Sequence, residues 1–387
     1  MNKNYIEKLL EGVEIEWKAL GEVCDFLNGF AFKSKLFKET GLPIVRITNI
    51  DGVNVDLTDV KYFVPDDYKS GNPLNYAIEK GDVLIAMSGA TTGKIGYYNL
   101  NETAYLNQRV GKFIPNKELL NNRFLYHFLL TKADFLYVLA GGGAQPNLSS
   151  NNLKEKLQIP IPPLTVQKEI VRILDSFTEL TAELTAELTA RKQQYSYYRE
   201  QLLSFEEGEV EWKTLGEVAM IGTGSHDTKD AVNDGSYIFY ARGREPLKLN
   251  SYDFDETAII TAGDGVGVGK VFHWAVGKYA LHQRAYRIVP NTDIDARYVY
   301  HYIVANFYAY IEKTSVHSSV TSLRKPMFLK FQIPIPPLSV QKEIVRILDT
   351  FTELTAELTA ELTARKQQYE YYRDKLLNFS ELNGRCK

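Results

Sequence analysis

Cysteine is nearly absent. Cys24 and Cys386 are the only two in 387 residues, so no disulfide framework can staple this fold, and a reducing, cytoplasmic setting is expected. Long apolar runs are missing too. No stretch approaches the roughly 20 apolar residues that span a bilayer, and the opening MNKNYIEKLLEG lacks the apolar core of a signal peptide. An excess of one charge is also lacking. Lys and Arg number 45 against 48 Asp and Glu, a net charge of −3, whereas nucleic-acid binders usually show a basic excess. The six histidines form no H-E-x-x-H pattern, so no zinc site is legible. The remainder is ordinary globular material, 44% hydrophobic, with length for about two to three domains.

An internal repeat organises the chain. Residues 158–205 and 332–379 are identical at 42 of 48 positions, at an offset of 174. Each copy opens on Ile-Pro-Ile-Pro-Pro, which cannot continue a helix. Thr165 and Ser339 then stand where an N-cap is wanted, and from there neither Gly nor Pro interrupts the chain until after Phe205 or Phe379. Ile170, Leu174, Phe177, Thr181, Leu184, Leu188, Arg191, Tyr195, Tyr198 and Leu202 are spaced alternately by four and three. That is a heptad seam, which wants a partner helix. The second copy offers Ile344, Leu348, Phe351, Leu358, Leu362, Tyr369, Tyr372 and Leu376. About 40 helical residues give a rod on the order of 60 Å. Within it, Thr-Ala-Glu-Leu recurs at 181–184 and 185–188, and at 355–358 and 359–362. Each such unit advances a helix by about 6 Å with a phase slip of roughly 40°, so the rod can act as a spacer.

The segments between the repeats differ in sequence but share an order. Both begin alike, at Glu16-Trp17-Lys18 and Glu211-Trp212-Lys213, and Asn107-Gln108-Arg109 has its counterpart in His282-Gln283-Arg284. Asn122-Arg123-Phe124-Leu125-Tyr126-His127 resembles Ala296-Arg297-Tyr298-Val299-Tyr300-His301. Short β-rich runs with Gly and Asn turns predict α/β domains of one fold, with a helix after each Gln-Arg strand. Tyr5 to Leu10 echoes Tyr198 to Leu203, so residues 1–16 read as the end of a rod. The expected organisation is a first domain at 17–157, a helix at 158–205, a linker at 206–211, a second domain at 212–331, a helix at 332–379 and a tail at 380–387. An antiparallel coiled coil with pseudo-two-fold symmetry satisfies this order.

Catalytic patterns are absent. Gly263-Asp264-Gly265-Val266-Gly267-Val268-Gly269-Lys270 and Gly89-Ala90-Thr91-Thr92-Gly93-Lys94 both miss the phosphate-loop spacing and read as hairpins. Pro65-Asp66, directly before Asp67-Tyr68-Lys69, reads as a surface turn, because a nuclease needs its second acid and Lys further downstream to share a metal. No nucleophile elbow and no cofactor loop are visible.

Charge counted by segment tells more than the average. Residues 17–157 and 212–331 are each +2, whereas 158–211 is −5 and 332–387 is neutral. Polar residues suited to nucleic acid gather at the turns predicted in both domains. The first offers Arg46, Asn49, Thr91, Thr92, Lys94, Gln108, Arg109, Gln145 and Asn147; the second offers Arg242, Arg244, Lys270, Gln283, Arg284, Ser318 and Ser319. Arg and Lys can read guanine, and Asn and Gln adenine, in the major groove. The Gln-Arg pair recurs in both domains, which favours a structural or phosphate-positioning role over discrimination.

Two diverged domains, each followed by an I-P-I-P-P-L-x-x-Q-K-E-I-V-x-I-L-D helix with Thr-Ala-Glu-Leu units, resemble the specificity subunit of type I restriction–modification systems. The resemblance spans nearly the whole chain, although Ser319-Val320-Thr321-Ser322-Leu323 stands where the first domain has Gln145-Pro146-Asn147-Leu148. It implies a non-catalytic subunit whose two target-recognition domains read the halves of a split double-stranded DNA site. It further implies helices that set the spacing and dock two methyltransferase subunits, with restriction subunits in the full complex. S-adenosylmethionine and ATP would then act on those partners, and this chain would bind neither cofactor nor metal. The alternative is a coiled-coil adaptor whose two lobes bind proteins or glycans.

Overall fold

The computed structural model describes residues 3–69, 71–142, 146–206, 208–265, 267–314 and 323–379. The tail 380–387 with Cys386, and the candidates Gln145, Ser318 and Ser319, lie outside them. The chain forms two units, one comprising Met1–Glu183 and Leu362–Lys387 and the other Leu184–Glu361. Each long helix, Leu164–Leu202 and Leu338–Leu377, contributes to both.

The Ile-Pro-Ile-Pro runs are strands. Gln158–Ile161 pairs antiparallel with Glu16–Ala19, placing Trp17 opposite Pro160, and Gln332–Ile335 pairs with Glu211–Thr214, placing Trp212 opposite Pro334. Proline is tolerated because each ladder has two strands only, so every strand is an edge. The helices start at Leu164 and Leu338, two residues earlier than expected, which corrects the N-cap assignment of Thr165 and Ser339. Both residues lie inside the first turn, and the Pro163 carbonyl accepts from the Val166 and Gln167 N–H groups.

In the first unit, one four-stranded sheet runs in the order Cys24–Asn28, Val110–Pro115, Val83–Ala86, Ile95–Tyr97. A second has the order Lys61–Phe63, Leu42–Val45, Ala104–Leu106, Ala77–Ile78. The second unit carries the same connections in one six-stranded sheet, because Phe254–Ala262 and Phe272–Leu281 each run unbroken. Both Gly-rich strings close antiparallel hairpins. A helix follows each Gln-Arg strand, Asn122–Leu130 in one unit and Ala296–Thr314 in the other.

Apart from Tyr198, the expected seam residues are buried or half-buried. In the first unit Ile170, Leu174 and Phe177 share a core with Leu376, and Phe177 stacks on Tyr372. In the second, Ile344 and Leu348 pack with Tyr195, Leu202 and Leu203, while Phe351 meets Tyr195 and stacks on Tyr198. The two helices thus pair antiparallel. Leu184, Leu188, Leu358 and Leu362 are buried, and Tyr369 is half-buried. Tyr198 keeps 40% of its surface exposed despite its stack. Threonines are accommodated because their hydroxyls donate back to carbonyls one turn earlier, as from Thr178 to Leu174 and from Thr355 to Phe351.

The opening helix, Lys3–Leu10, completes the first unit. Ile6 and Leu10 join the core of Ile170 and Leu376, and the Tyr5 hydroxyl donates to Glu169 at 2.6 Å. Hydrogen bonds from Arg172 and Tyr5 hold the Glu169 carboxyl down at about 2. Cys24 is buried, which pushes its thiol up to about 12 and leaves it protonated at neutral pH.

Candidate nucleic-acid interface

The first domain gathers four chain segments through backbone hydrogen bonds. Met87 N–H donates to the Arg109 carbonyl, Leu148 N–H to Met87 and Gly89 N–H to Pro146. Side chains close the cluster: the Thr91 hydroxyl donates to the Ile47 carbonyl at 3.2 Å, and Thr92 to Gly89 and Pro146. Residues 46–48, 87–94, 107–109 and 146–148 therefore meet. Lys94, Gln108, Arg109 and Asn147 are exposed on them. Arg46 is half-buried, with Nε unpartnered. Asn49 and Thr92 do not present themselves to a ligand. Asn49 is buried and its carboxamide is committed, accepting from Arg46 N–H and donating to the Asp56 and Asp59 carbonyls. It holds the loop that displays its neighbours.

The second domain repeats the backbone scheme with other side chains. Gly263 N–H donates to the Arg284 carbonyl and Leu323 N–H to Gly263, matching the bonds at Met87 and Leu148. Arg242, Arg244, Lys270, Gln283 and Arg284 are exposed. Lys270 lies over the Tyr308 ring at 4.6 Å, and Gln283 donates to Asp227 at 3.1 Å. Asp264 draws two arginines together, its Oδ1 accepting from Arg242 at 2.9 Å and its Oδ2 from Arg284 at 3.1 Å. Burial opposes ionisation of Asp264, but the two guanidiniums outweigh it and hold the carboxyl below its usual range. His282 beneath is buried, and burial together with the nearby Arg242 keeps its imidazole neutral. Its Nδ1 is thus free to accept from Arg284 N–H at 2.9 Å.

A close approach underlies both turns. A Cβ on Gly29 would fall 2.1 Å from the Asn107 carbonyl oxygen, and one on Gly224 would fall 1.9 Å from that of Leu281. Only glycine lets the backbone come so near. The signal was the glycine after Cys24–Asn28 in one domain and after Ala219–Thr223 in the other.

Sequence reasoning also missed the junction between each domain and its helix. Asn121 caps Asn122–Leu130 by accepting from Arg123 and Phe124 N–H, and Asp295 does the same for Arg297 and Tyr298. Gln167, fully buried, accepts from Asn121 N–H and donates to the Leu119 and Pro162 carbonyls. Asp175 then receives Arg123 at 2.7 Å and His127 at 2.8 Å. Gln341 and Asp349 repeat the arrangement with Asp295, Arg297 and His301. Burial lowers His127 and His301, only partly offset by their carboxylates, so both are neutral donors. The available signal was the Arg-x-x-x-His spacing shared by the two domains.

Among the described residues no group of three or more His, Cys, Asp or Glu could hold a metal ion, and no helix is long and apolar enough to cross a membrane. The arrangement offers fixed donors on paired loop clusters, which suits recognition.

Comparison with known proteins agrees with this geometry. Residues 12–191 and 207–365 each match the type I restriction modification DNA specificity domain. The chain is 32% identical to the EcoR124I/EcoR124II specificity subunit of Escherichia coli, with 97% of each chain covered. It is 33% identical to a putative type I specificity subunit of Haemophilus influenzae, covering 98% of this chain and 99% of that one. Its fold is similar to that of the type I S subunit from M. genitalium, with a TM-score of 0.72 at 16% identity over 95% of this chain and 97% of that one. Two matched domains and relatives aligned from end to end place this chain in the family of type I restriction–modification specificity subunits.

Proposed function

We propose that this chain is the non-catalytic DNA-reading subunit of its complex, acting in the cytoplasm on a split, asymmetric site. Each domain contacts one half-site in double-stranded DNA through its loop cluster. The paired helices set the distance between halves and dock two methyltransferase subunits; restriction subunits join the full assembly. S-adenosylmethionine and ATP act on those partners.

The observation that carries this reading is the recurrence of one backbone scheme under different side chains. Met87, Arg109 and Leu148 exchange the same hydrogen bonds as Gly263, Arg284 and Leu323, while the exposed Asn147 in the first domain and Arg242 and Arg244 in the second have no like counterparts. A shared frame positions the chain on the phosphates, and varied side chains on that frame read bases. In the first domain Arg109 and Lys94 supply exposed cations, Asn147 an exposed carboxamide and Gln108 a second.

Genome-wide methylation mapping with and without this gene tests the proposal. A two-part motif with unequal halves, lost on deletion, is expected. A single palindromic motif, or an unchanged methylome, contradicts it.

A further inference from the structure

At one corresponding position an acid in the second loop cluster replaces a neutral residue in the first. Met87 and Gly263 occupy equivalent places, each donating to its arginine carbonyl, so Ser88 corresponds to Asp264. The Ser88 hydroxyl has no hydrogen-bond partner, and among the described residues no carboxylate pairs with Arg109. Asp264 instead bridges Arg242 and Arg284. Its side chain is 21% exposed, whereas those of Arg242 and Arg284 are 41% and 63% exposed.

That geometry has two consequences. Arginine carries five N–H donors in a fixed fork. The carboxylate engages one Nη1 of each arginine, leaving most donors of both guanidiniums open to solvent. It also cancels one of two positive charges, so the pair attracts phosphates less than free arginines do. A guanidinium held in place with its outer edge free suits the paired N7 and O6 acceptors of guanine.

We propose that Asp264 is a specificity-determining positioning residue of the second domain. It fixes Arg242 and Arg284 side by side for a guanine-containing step in the second half-site, giving Arg284 a base-reading role where its counterpart Arg109 positions the chain on phosphate, and suppresses binding to DNA lacking that step. This rests on the DNA-reading role proposed above and adds a base class to one half-site. The first domain, with Ser88 in that position, lacks this restraint.

The test uses the complex assembled with its methyltransferase subunits and duplexes randomised across the second half-site. The unaltered complex is expected to select guanine there. Asp264→Ser installs the residue of the first domain. It should lower the guanine preference about tenfold, because the arginines lose their fixed geometry. It should also steepen the slope of log affinity against log salt by about 0.9, tightening binding to an unrelated duplex about tenfold at 0.1 M salt. Arg284→Lys keeps the charge but not the fork, so the preference should fall with the slope unchanged. Thermal unfolding of both variants at the parent temperature shows that the fold is intact. Unchanged base selection and salt slope in Asp264→Ser overturn the inference, as does a second half-site without guanine. If the unaltered complex binds no DNA, the DNA-reading role falls and this inference falls with it.

Discussion

Arg123 and Asp175 meet at 2.7 Å across 52 positions of sequence, and Arg297 and Asp349 meet at 2.9 Å across the same separation. Each arginine leaves a domain helix and reaches a long helix. Each also lies over two rings, Arg123 over Tyr97 and Tyr126, Arg297 over Trp274 and Tyr300. The aspartate therefore anchors a cation already packed on aromatic faces, and its loss strands that cation and a buried histidine together.

Asp175→Asn should destabilise the chain by about 2 kcal/mol, the scale of breaking a half-buried charged pair. Asp349→Asn should cost about as much, because the second junction repeats the first. Urea unfolding measures both. The midpoint should fall while the slope stays constant, since little new surface is exposed in the folded state. Midpoints equal to the parent's would show that these pairs are ornaments on an already fixed junction.

The same histidines set a pH dependence. Burial holds His127 and His301 below the ordinary histidine value of 6.5 in the folded chain. Between that value and the lower folded one, the unfolded chain binds more protons, so stability rises with pH there. The contribution is complete above 6.5 and is lost as pH falls toward the folded values. Denaturant midpoints should drop from pH 7 to pH 5, and His127→Gln should flatten part of the decline. Asp175 acts in a lower window. Burial opposes its ionisation, but His127 and Arg123 outweigh that and hold it below its usual range, so its contribution disappears only as pH falls through the carboxylate range.

The rods were legible because a four-and-three spacing of apolar residues has one geometric solution. The paired hairpins were legible because glycine at a fixed place between β-rich runs marks a tight turn. Three features were not. Ile-Pro-Ile-Pro reads as a helix breaker, and nothing local shows that Glu16–Ala19 will pair with it across the whole first domain. Asp175 and Asp349 sit in charged helices, where an acid ordinarily faces water, and their partners are set by tertiary packing. Asp264 lies in a glycine-rich string whose spacing invites a phosphate-loop comparison, while Arg242 and Arg284 come from two other turns. Asn49 errs in the opposite direction. Its residue type suits adenine, but its place beneath a loop commits it to three backbone partners.

That contrast separates Asn49 from Arg109 experimentally. Asn49→Ala leaves one backbone donor and two carbonyls unpaired at a buried point, at a cost of about 2 kcal/mol. The unfolding temperature should fall, and DNA affinity should weaken only as far as the loop is disturbed. Arg109→Ala removes an exposed side chain and should leave the unfolding temperature within about 1 °C, since exposed substitutions stay within about 0.5 kcal/mol. DNA affinity of the assembled complex should nevertheless drop, and the salt slope should flatten by about 0.9 for one lost phosphate contact. A stable Asn49→Ala protein with weakened binding would reverse the assignment.

The Thr-Ala-Glu-Leu units give the spacing its test. Removing residues 185–188 and 359–362 shortens each long helix by four residues, about 6 Å, and turns the remainder of each helix by about 400°. The seam keeps its character, because Leu184 and Leu358 are buried as Leu188 and Leu362 are. The threonine hydroxyls satisfy themselves within each helix, so no buried donor is orphaned by the deletion. The double deletion should therefore fold. Its methylation motif should keep both half-sites while the gap between them shortens by about two base pairs, the number that 6 Å spans at the roughly 3.4 Å rise of DNA. Changed bases at either half, with the gap unaltered, would remove the helices from the role of spacer.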